Sequence, residues 1–465
     1  MADTTASPGS GPSPTAGAEA PGPSGLDAIE SVAELSPASG PLLSRSSVAA
    51  ATWALFVGVA LVMVGNGLNG ALLGVRSEVE GFGLLVTGVV MTAYFAGFLA
   101  GTAYCESALK QVGHIRVFAA LASTASSVVL LQAVSVNPVS WGITRFLFGA
   151  CMAGLYVVVE SWLNDLATNE TRGRILSVYM IVTMGGIAMG QLLLNVEDRS
   201  GFTLFIVVSV LVSLSLVPVT LSASSSPPLA IPEPIRLAEL AARIPTGLVS
   251  SFFSGAGAGA MLGMAAVYAS QVGMTAGRLS LFLAAPMVGA LVFQWPIGLV
   301  SDKLPRRAVL FAVAVGAAVA PLLGIAVAPD SWIAVLAMFL MGGAMFPFYS
   351  LAVAYSNDWL RAEEILGASG TLVRVNGTGA IIGPLLTAAL MALIDTSLFF
   401  WTISGLFGTV AAFILWRMLV RDALPRERQR RWVPYPARAS AVAANLIPRR
   451  RRNEKGIPSG PPINR

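Results

Sequence analysis

Charged residues are scarce in this sequence. Asp, Glu, Lys and Arg make up only 11% of its 465 residues, whereas a soluble domain usually carries about 25%. Histidine and cysteine are scarcer still, with His114, Cys105 and Cys151 as the full set. Three such residues scattered along the chain predict neither a metal site nor a disulfide framework. A phosphate loop ending in Gly-Lys-Ser or Gly-Lys-Thr is also absent, which argues against an ATP-driven pump.

Apolar residues dominate the composition. Hydrophobic residues make up 55% of the chain, and its mean hydropathy is +0.74. A helix needs about 20 mainly apolar residues to cross the hydrocarbon layer of a bilayer, and backbone groups in lipid must be paired within the protein. The sequence therefore predicts an all-α integral membrane protein. Its twelve predicted spans lie near residues 49–73, 84–105, 116–136, 139–162, 174–195, 202–221, 244–268, 278–300, 308–328, 331–355, 365–391 and 398–419.

A repeat relates the two halves of the chain. With a shift of 193 positions and no gap, nine identities fall within 45 positions. In the first half the repeated residues are Gly149, Met152, Tyr156, Asn164, Asp165, Gly186, Gly190, Leu192 and Leu193. Six spans per copy is an even number, so both copies enter the membrane with the same orientation. We expect two six-helix bundles, residues 49–221 and 244–420, in parallel repeat.

Polar stretches separate and flank the predicted bundles. Residues 222–243 are expected to be a cytoplasmic linker, in which RLAELAAR either forms a short amphipathic surface helix or is a plain connection. Residues 1–48 lack the features of a cleaved signal peptide and are expected to form a disordered tail. Residues 421–465 carry twelve Lys and Arg against three acids. This tail either binds anionic lipid or acts as a simple positive anchor, and no folded domain accompanies it to suggest nucleic-acid binding.

Basic residues predict the orientation of the chain, because cytoplasmic loops are enriched in Lys and Arg. With the N-terminus inside, the inner loops carry Lys110, Arg116, Arg172, Arg174, Arg236, Arg243, Lys303, Arg306, Arg307 and Arg361. The outer loops carry only Arg76, Arg199 and Arg278. We expect a multi-pass protein of the cytoplasmic membrane with both termini in the cytoplasm.

The loop between the eighth and ninth spans has a distinctive pattern. Residues 298–307 read GLVSDKLPRR, which resembles the loop motif of the major facilitator superfamily: Gly, three residues, Asp, a basic residue and a basic pair. The resemblance implies the major facilitator fold, which has two six-helix bundles. It also implies a gating role for four residues of this loop: Asp302, Lys303, Arg306 and Arg307. The equivalent loop of the first half departs from the pattern, because Lys110 stands where the aspartate is expected.

The fourth predicted span contains two charged residues. Arg145 lies in RFLFG, which resembles the fourth-span motif of the same superfamily, and Glu160 opens ESWLND at 160–165. An arginine in a span costs about 2.5–3.5 kcal/mol on insertion scales, so it is expected to face a cavity or a partner. The two residues are about 22 Å apart along one helix and cannot pair with each other. ESWLN, with the Gly-rich YMIVTMGGIAMGQLLL at 179–194, resembles the YcaD-like branch of that superfamily.

Several polar residues within the spans are candidates for lining a solute cavity. They are Asn66, Asn69, Arg145, Tyr156, Gln294 and Arg374. The two asparagines share one face of the first span and either bind the solute or join that span to a neighbour. The glutamine either lines the cavity or packs against another helix. Arg374 matches Ile181 in the first half, so the arginine is not repeated, which favours a role in the cavity over one in the repeated scaffold.

These features predict a secondary transporter that works by alternating access. Two arginines and few acids within the spans favour an anionic or zwitterionic small solute, and Glu160 is the candidate for proton coupling. One alternative is proton-coupled efflux of drugs or other lipophilic cations, and another is a transporter-like receptor or scaffold without turnover. We expect no enzymatic activity, no cofactor and no metal. The expected partners are a small solute and membrane lipid but no nucleic acid, and the protein is expected to be a monomer.

Overall fold

The computed structural model describes residues 45–168, 171–199, 201–221, 235–361, 363–420, 429, 430 and 432. Residues 49–465 belong to one compact unit. The predicted N-terminal tail up to residue 44, linker residues 222–234 and nearly all of the tail 421–465 lie outside the described residues.

Twelve helices in the described chain are long and apolar enough to cross a membrane. We label them α1 (Thr52–Val79), α2 (Leu84–Val112), α3 (His114–Val134), α4 (Pro138–Leu166), α5 (Arg172–Asn195), α6 (Thr203–Leu221), α7 (Pro245–Gln271), α8 (Ala276–Lys303), α9 (Arg306–Ile325), α10 (Trp332–Asp358), α11 (Ile365–Leu393) and α12 (Leu398–Val420). Each overlaps the range predicted for it, so the all-α, twelve-span prediction is confirmed. A further short helix, the linker helix, covers Leu237–Arg243.

Polar residues at the helix ends explain why several helices extend beyond the predicted apolar runs. At the start of α4, the Asn137 side chain accepts a 2.9 Å hydrogen bond from the Ser140 N–H, and Pro138 occupies the first turn. An N-cap side chain satisfies one of the N–H groups that a helix start leaves without an intrahelical partner.

Within α6 the helix is interrupted at Ser215. Pro218 has no N–H to donate to the Leu214 carbonyl, which accounts for the break.

The helices pack in the same pattern in both halves. In the first half α2 packs on α4, and α3 packs on α4 and α6; in the second half α8 packs on α10, and α9 packs on α10 and α12. The two halves meet where α2 lies against α11 and where α5 lies against α8. In the repeat, α2 corresponds to α8 and α5 corresponds to α11, so the α2–α11 contact is equivalent to the α8–α5 contact. The helices are therefore arranged with approximate two-fold symmetry.

The repeated glycines explain part of the sequence repeat. A Cβ atom on Gly190 of α5 would lie 2.1 Å from the carbonyl oxygen of Val64 on α1. A Cβ atom on Gly383 of α11 would lie 2.0 Å from the carbonyl oxygen of Ala256 on α7. Only glycine allows helices to approach so closely. The other repeated glycines with a comparable backbone or side-chain neighbour within 2.7 Å are Gly149, Gly186, Gly342 and Gly379.

Candidate functional site

The helix bundle has two chemically different ends. The basic end contains the loops after α2, α4, α8 and α10 together with the linker helix. The opposite end contains the loops after α1, α3, α5, α7, α9 and α11. The predicted site residues lie at different depths between these ends.

A cavity lies between the two halves, from the middle of the helices toward the opposite end. It contains about 560 Å³ of empty space, including its mouth. Its polar side chains are those of Asn66, Tyr94, Arg145 and Gln191, and its remaining wall is formed by Gly67, Gly70, Ala71, Phe95, Ile187, Met261, Leu262, Ala265, Ala266, Leu283, Pro286 and Met338.

Arg145 provides the positive charge in this cavity. Its side chain is only 3% exposed, and its guanidinium carbon lies 4.9 Å from the centroid of the Tyr94 ring. One terminal nitrogen also lies 3.5 Å from the sulfur of Met91. The ring face of Tyr94 attracts a cation, and both partners belong to α2, so α2 holds the guanidinium where it lines the cavity.

The first-span asparagines have separate environments. Asn66 lines the cavity, but Asn69 is fully buried and does not. The side-chain oxygen and nitrogen of Asn69 make no hydrogen bond within the described part of the chain. Of the two predicted asparagines, only Asn66 is therefore positioned to meet a solute in this cavity.

Three other cavity candidates lie elsewhere. The Tyr156 hydroxyl is 3.0 Å from the sulfur of Met63 in the packing between α4 and α1. Gln294 on α8 donates a 2.9 Å hydrogen bond to the Ser350 hydroxyl on α10. The side chain of Arg374 is exposed. None of the three lines the cavity described above, and their proposed contact with solute stays a prediction.

Glu160 lies toward the basic end, away from the cavity wall. Its carboxylate is fully buried and accepts a 3.0 Å hydrogen bond from the Tyr179 hydroxyl of α5. The next two residues point to a different helix: the Ser161 hydroxyl is 2.8 Å from Nε2 of His114, and the Trp162 ring lies 5.9 Å from the His114 ring. Consecutive residues of the ESWLN segment thus join α4 to α5 and to α3.

The helix that holds the partner of Glu160 also contacts the second half. Tyr179 belongs to α5, and α5 packs on α8. A change in the charge of Glu160 would therefore act on a helix at the interface between the halves.

The predicted gating loop is built around Arg306. This side chain is 1% exposed and forms a 2.6 Å ion pair with Asp358 at the end of α10. It also lies 3.7 Å from Asp302, donates to the Ser301 hydroxyl at 3.1 Å, and donates to the Ala354 carbonyl at 3.3 Å. The pairing with Asp302 that the motif suggested is present, but Asp358 is the closer partner.

Two residues of the C-terminal tail complete this cluster. The Arg430 N–H donates to Asp358 at 2.8 Å, and Arg306 donates to the Arg430 carbonyl. The Trp432 N–H donates to Asp302 at 2.7 Å, and its ring packs directly over the backbone of Gly298. These contacts place tail residues on Asp302 and Arg306 of the gating loop and on Asp358 of α10.

The other basic residues of the loop are arranged differently. Arg307 donates a 3.3 Å hydrogen bond to the Arg417 carbonyl near the end of α12. Lys303 is exposed. The loop therefore anchors α9 to α10 through Arg306 and to α12 through Arg307, while Lys303 contributes positive charge at the surface.

A second ionic cluster lies beside the linker helix. Glu364 forms ion pairs with Arg361 at 3.0 Å and with Arg243 at 2.9 Å. Hydrogen bonds from the Arg361 side chain and backbone, followed by those from Arg243, hold the pKa of Glu364 at about 2, below its ordinary 4.5. The linker helix is thereby attached to the start of α11.

The two halves touch on their symmetry axis at the opposite end. Gln271 at the end of α7 donates a 3.2 Å hydrogen bond to Glu78 at the end of α1, and these residues are 193 positions apart. Residues related by a two-fold repeat meet only near the axis. A Cβ atom on Gly74 of α1 would lie 2.7 Å from that of Ala266 on α7, so the helices are in close contact there. This contact closes the bundle beyond the cavity.

Sequence reasoning did not single out several of these site residues. Gln191 belongs to the GQ segment that was noted for its family resemblance, and Asp358 is one of the nine repeated residues, so both had a signal in the sequence. Tyr94 had none, because its importance comes from the position of Arg145 on another helix. Among the described residues, no group of three or more His, Cys, Asp and Glu side chains is placed to hold a metal ion.

Comparison with known proteins gives consistent results. Residues 247–454 match the model of the Major Facilitator Superfamily. A protein of Yersinia pseudotuberculosis named as an uncharacterized MFS-type transporter is 30% identical over 364 residues, which cover 75% of this chain and 88% of that protein. The MFS-type transporter YcaD of Salmonella arizonae is 30% identical over 352 residues, which cover 72% of this chain and 86% of YcaD.

Solved structures show the same fold at low sequence identity. A mutant of the nucleoside transporter NupG superposes with a TM-score of 0.69 at 12% identity, covering 79% of this chain and all of NupG. A bacterial homologue of the human lysosomal transporter Spinster, in an inward-facing and unoccupied conformation, superposes with a TM-score of 0.61 at 14% identity. That match covers 80% of this chain and 95% of the homologue.

Proposed function

The chain belongs to the major facilitator superfamily and is an MFS-type transporter, and from this we propose that it moves an anionic or zwitterionic small solute by alternating access. The cavity between the halves is the observation that carries the proposal. Arg145 contributes a buried positive charge to it, and Asn66 and Gln191 contribute amide groups. A guanidinium and amide donors together suit a carboxylate or a similar anion.

The closure at the opposite end supports a switching mechanism. Residues 49–221 and 244–420 act in this proposal as two bodies that rock against each other along the α2–α11 and α5–α8 contacts. The Glu78–Gln271 hydrogen bond and the Gly74–Ala266 contact hold one end shut. Opening that end requires separation of α1 and α7, which breaks this hydrogen bond and this contact.

Glu160 is the proposed proton carrier. It is fully buried and accepts a hydrogen bond from the Tyr179 hydroxyl of α5. Protonation would remove the negative charge of Glu160 and replace an acceptor with a donor. Such a change would alter the contact between α4 and α5, and α5 packs on α8 of the second half, which would link proton movement to the interface between the halves.

The charge distribution supports the proposed placement in the cell. Most basic loop residues lie at the basic end, which we assign to the cytoplasm, and the protein is placed in the cytoplasmic membrane with both termini inside. We expect it to act as a monomer, because each chain contains both halves of the cavity.

Transport is tested directly in proteoliposomes. Vesicles containing the full chain are exposed to a defined mixture of metabolites, and the solutes that enter are identified by mass spectrometry against protein-free vesicles. At least one anionic or zwitterionic solute is expected to enter only with the protein. Retention of solute binding by the purified protein without any entry would instead indicate a receptor or scaffold.

Proton coupling is tested with Glu160→Gln, which preserves the hydrogen-bonding shape and removes the titratable group. Uptake driven by a pH gradient should be lost, while exchange of labelled solute between the two sides should continue. Glu197→Gln is the matched control, because Glu197 is an exposed carboxylate at the opposite end. Unchanged pH-driven uptake in Glu160→Gln would remove this residue from the coupling mechanism. Selective uptake of lipophilic cations, lost in the same variant, would favour efflux of cationic drugs.

A further inference from the structure

The two halves give the cavity two chemically different walls. All four polar lining side chains, Asn66, Tyr94, Arg145 and Gln191, come from the first half. The lining residues from the second half are Met261, Leu262, Ala265, Ala266, Leu283, Pro286 and Met338, none of which has a polar side-chain atom other than sulfur. A solute held between the halves therefore meets hydrogen-bonding groups on one side and hydrocarbon on the other.

The wall from the first half is suited to a compact anionic group. Arg145 is buried but reaches the cavity, and its neighbour Tyr94 limits its movement by lying 4.9 Å beneath it. The Gln191 side chain also lines the cavity. Its amide nitrogen can donate a hydrogen bond to an oxygen of an anionic head.

The wall from the second half is suited to hydrocarbon. Met261 and Met338 are almost fully buried, as is Leu283. A polar group of a solute turned toward this wall would lose its hydrogen bonds to water and gain none, which is unfavourable. An apolar group there would gain free energy in proportion to the surface it buries. Methionine side chains also adapt to apolar groups of different shape.

We propose that the solute is an amphipathic organic anion, with its carboxylate or comparable small anionic head on the first half and its apolar part against the second. This inference rests on the proposed function, because it names the class of solute bound in the same cavity. The single lining arginine fits one negative charge rather than several. The apolar wall disfavours solutes that are polar on every side, such as free sugars.

The test uses a homologous series of straight-chain carboxylates and the purified full chain. Affinity for sodium acetate, butanoate and hexanoate is measured from thermal stabilisation at increasing concentration, since a ligand that binds only the folded state raises its stability. Each added methylene is expected to tighten binding by roughly threefold to fourfold, the factor that corresponds to burial of one CH₂ group. Hexanol and hexyltrimethylammonium, of equal chain length, should bind at least about tenfold more weakly than hexanoate, because one lacks the charge and the other reverses it.

Single substitutions test the contribution of each cavity wall to binding separately. Arg145→Ala should reduce hexanoate affinity to that of hexanol, whereas Met338→Asn should flatten the dependence on chain length and preserve the preference for the carboxylate. Arg278→Ala is the matched control, because this arginine is stacked 3.8 Å from the Trp332 ring centroid and does not line the cavity. It should change neither property.

The results distinguish failure of this inference from failure of the proposed function. Equal affinity for acetate and hexanoate, or a preference for hexyltrimethylammonium, would overturn the inference even if the protein transports another solute. This comparison uses the unmodified protein and does not depend on the folding of any variant. Chain-length-dependent binding of carboxylates without entry into proteoliposomes would support the amphipathic site and contradict the transport function.

Discussion

At the basic end of the first half, His114 begins α3 and its Nε2 lies 2.8 Å from the Ser161 hydroxyl of α4. At the basic end of the second half, Arg306 begins α9 and donates to the carbonyl of Ala354 on α10, the residue 193 positions after Ser161. Arg306 additionally forms its 2.6 Å ion pair with Asp358. The same helix junction is thus held by a histidine–hydroxyl hydrogen bond in one half and by a buried ion pair in the other.

The loops that follow these junctions differ in the same way. After α4, the Thr168 N–H donates a 3.0 Å hydrogen bond to the Thr171 hydroxyl. After α10, the Arg361 N–H donates a 2.9 Å hydrogen bond to the Glu364 carboxylate. Both residues of the second pair lie 193 positions after those of the first. In both loops a backbone N–H donates to a side-chain oxygen three residues later. The acceptor is a neutral hydroxyl in the first half and a charged carboxylate in the second.

This comparison shows which features of the repeat are constrained. At Gly190 and Gly383, where two helix backbones touch, only a hydrogen atom fits and the residue is the same in both halves. At the junctions, a buried polar atom requires only that some partner of the right geometry be present. Several kinds of residue pair meet that requirement. These two backbone contacts are therefore repeated, while the polar partners at the junctions differ.

The largest effect is expected from breaking the ion pair of the second half. Arg306→Met leaves the Asp358 carboxylate buried without its closest cation and should lower the free energy of unfolding by about 3–5 kcal/mol. Unfolding by denaturant in detergent micelles measures this change. Arg306→Met combined with Asp358→Leu should recover most of the loss, because neither charge is then left alone. A double variant as unstable as the single one would show that the ion pair is not the source of the effect.

The shared backbone contacts should respond equally in both halves. Gly190→Ala and Gly383→Ala each insert a methyl group against a neighbouring carbonyl and should each cost about 1–3 kcal/mol of stability. Gly185→Ala is the control, because a Cβ atom there has no neighbour within 4 Å. It should be neutral or slightly stabilising. A loss in one half and none in the other would contradict the assignment of these glycines as equivalent contacts.

The junction of the first half should be the weaker one. A double-mutant cycle of His114→Ala and Ser161→Ala should give a coupling energy of about 0.5–1.5 kcal/mol, the usual net contribution of a single hydrogen bond. The same unfolding measurement in detergent applies. Coupling as strong as that between Arg306 and Asp358 would remove the energetic difference between the two junctions.

The smallest effect is expected in the pH dependence of the melting temperature, which should differ between the loops after α4 and α10. Because the pKa of Glu364 is held at about 2, below its ordinary 4.5, its pairing stabilises the folded state fully above pH 4.5 and less as the pH falls toward 2. The melting temperature of Glu364→Gln should therefore be below that of the unmodified chain at neutral pH and approach it in acid. Thr171→Val, in the equivalent loop, should shift the melting temperature by an amount that does not vary with pH. A pH-independent difference for Glu364→Gln would contradict the assigned pairing.

The sequence was most informative where a single element carried the signal. The apolar runs predicted all twelve helices. The GLVSDKLPRR motif drew attention to Asp302 and Arg306, which lie 3.7 Å apart, while their gating role stays a prediction. Asp358 lies 52 positions from Arg306, and nothing in the local pattern indicated that it would be the closer partner. Contacts between distant helices depend on packing, which local spacing does not determine.

The direction in which a side chain points was harder to predict. Both lipid and the protein interior are apolar, so the periodicity that marks the buried face of a soluble helix is weak in a membrane span. Arg145 lines the cavity, whereas Arg374 is exposed and Gln294 donates a hydrogen bond to Ser350. Gln191 was part of a noted segment but not of the predicted cavity. The rotation of each helix about its axis determines whether a side chain faces the cavity, a neighbouring helix or the protein surface.

The central claim is that solute crosses the membrane through the cavity that contains Arg145. The most direct test compares solute entry into proteoliposomes made with the unmodified chain, Arg145→Ala and Arg278→Ala, after confirming by thermal unfolding that each is folded. The account predicts that the solutes carried by the unmodified chain also enter with Arg278→Ala and fail to enter with Arg145→Ala. Entry of the same solutes at the same rate with a folded Arg145→Ala variant would contradict it.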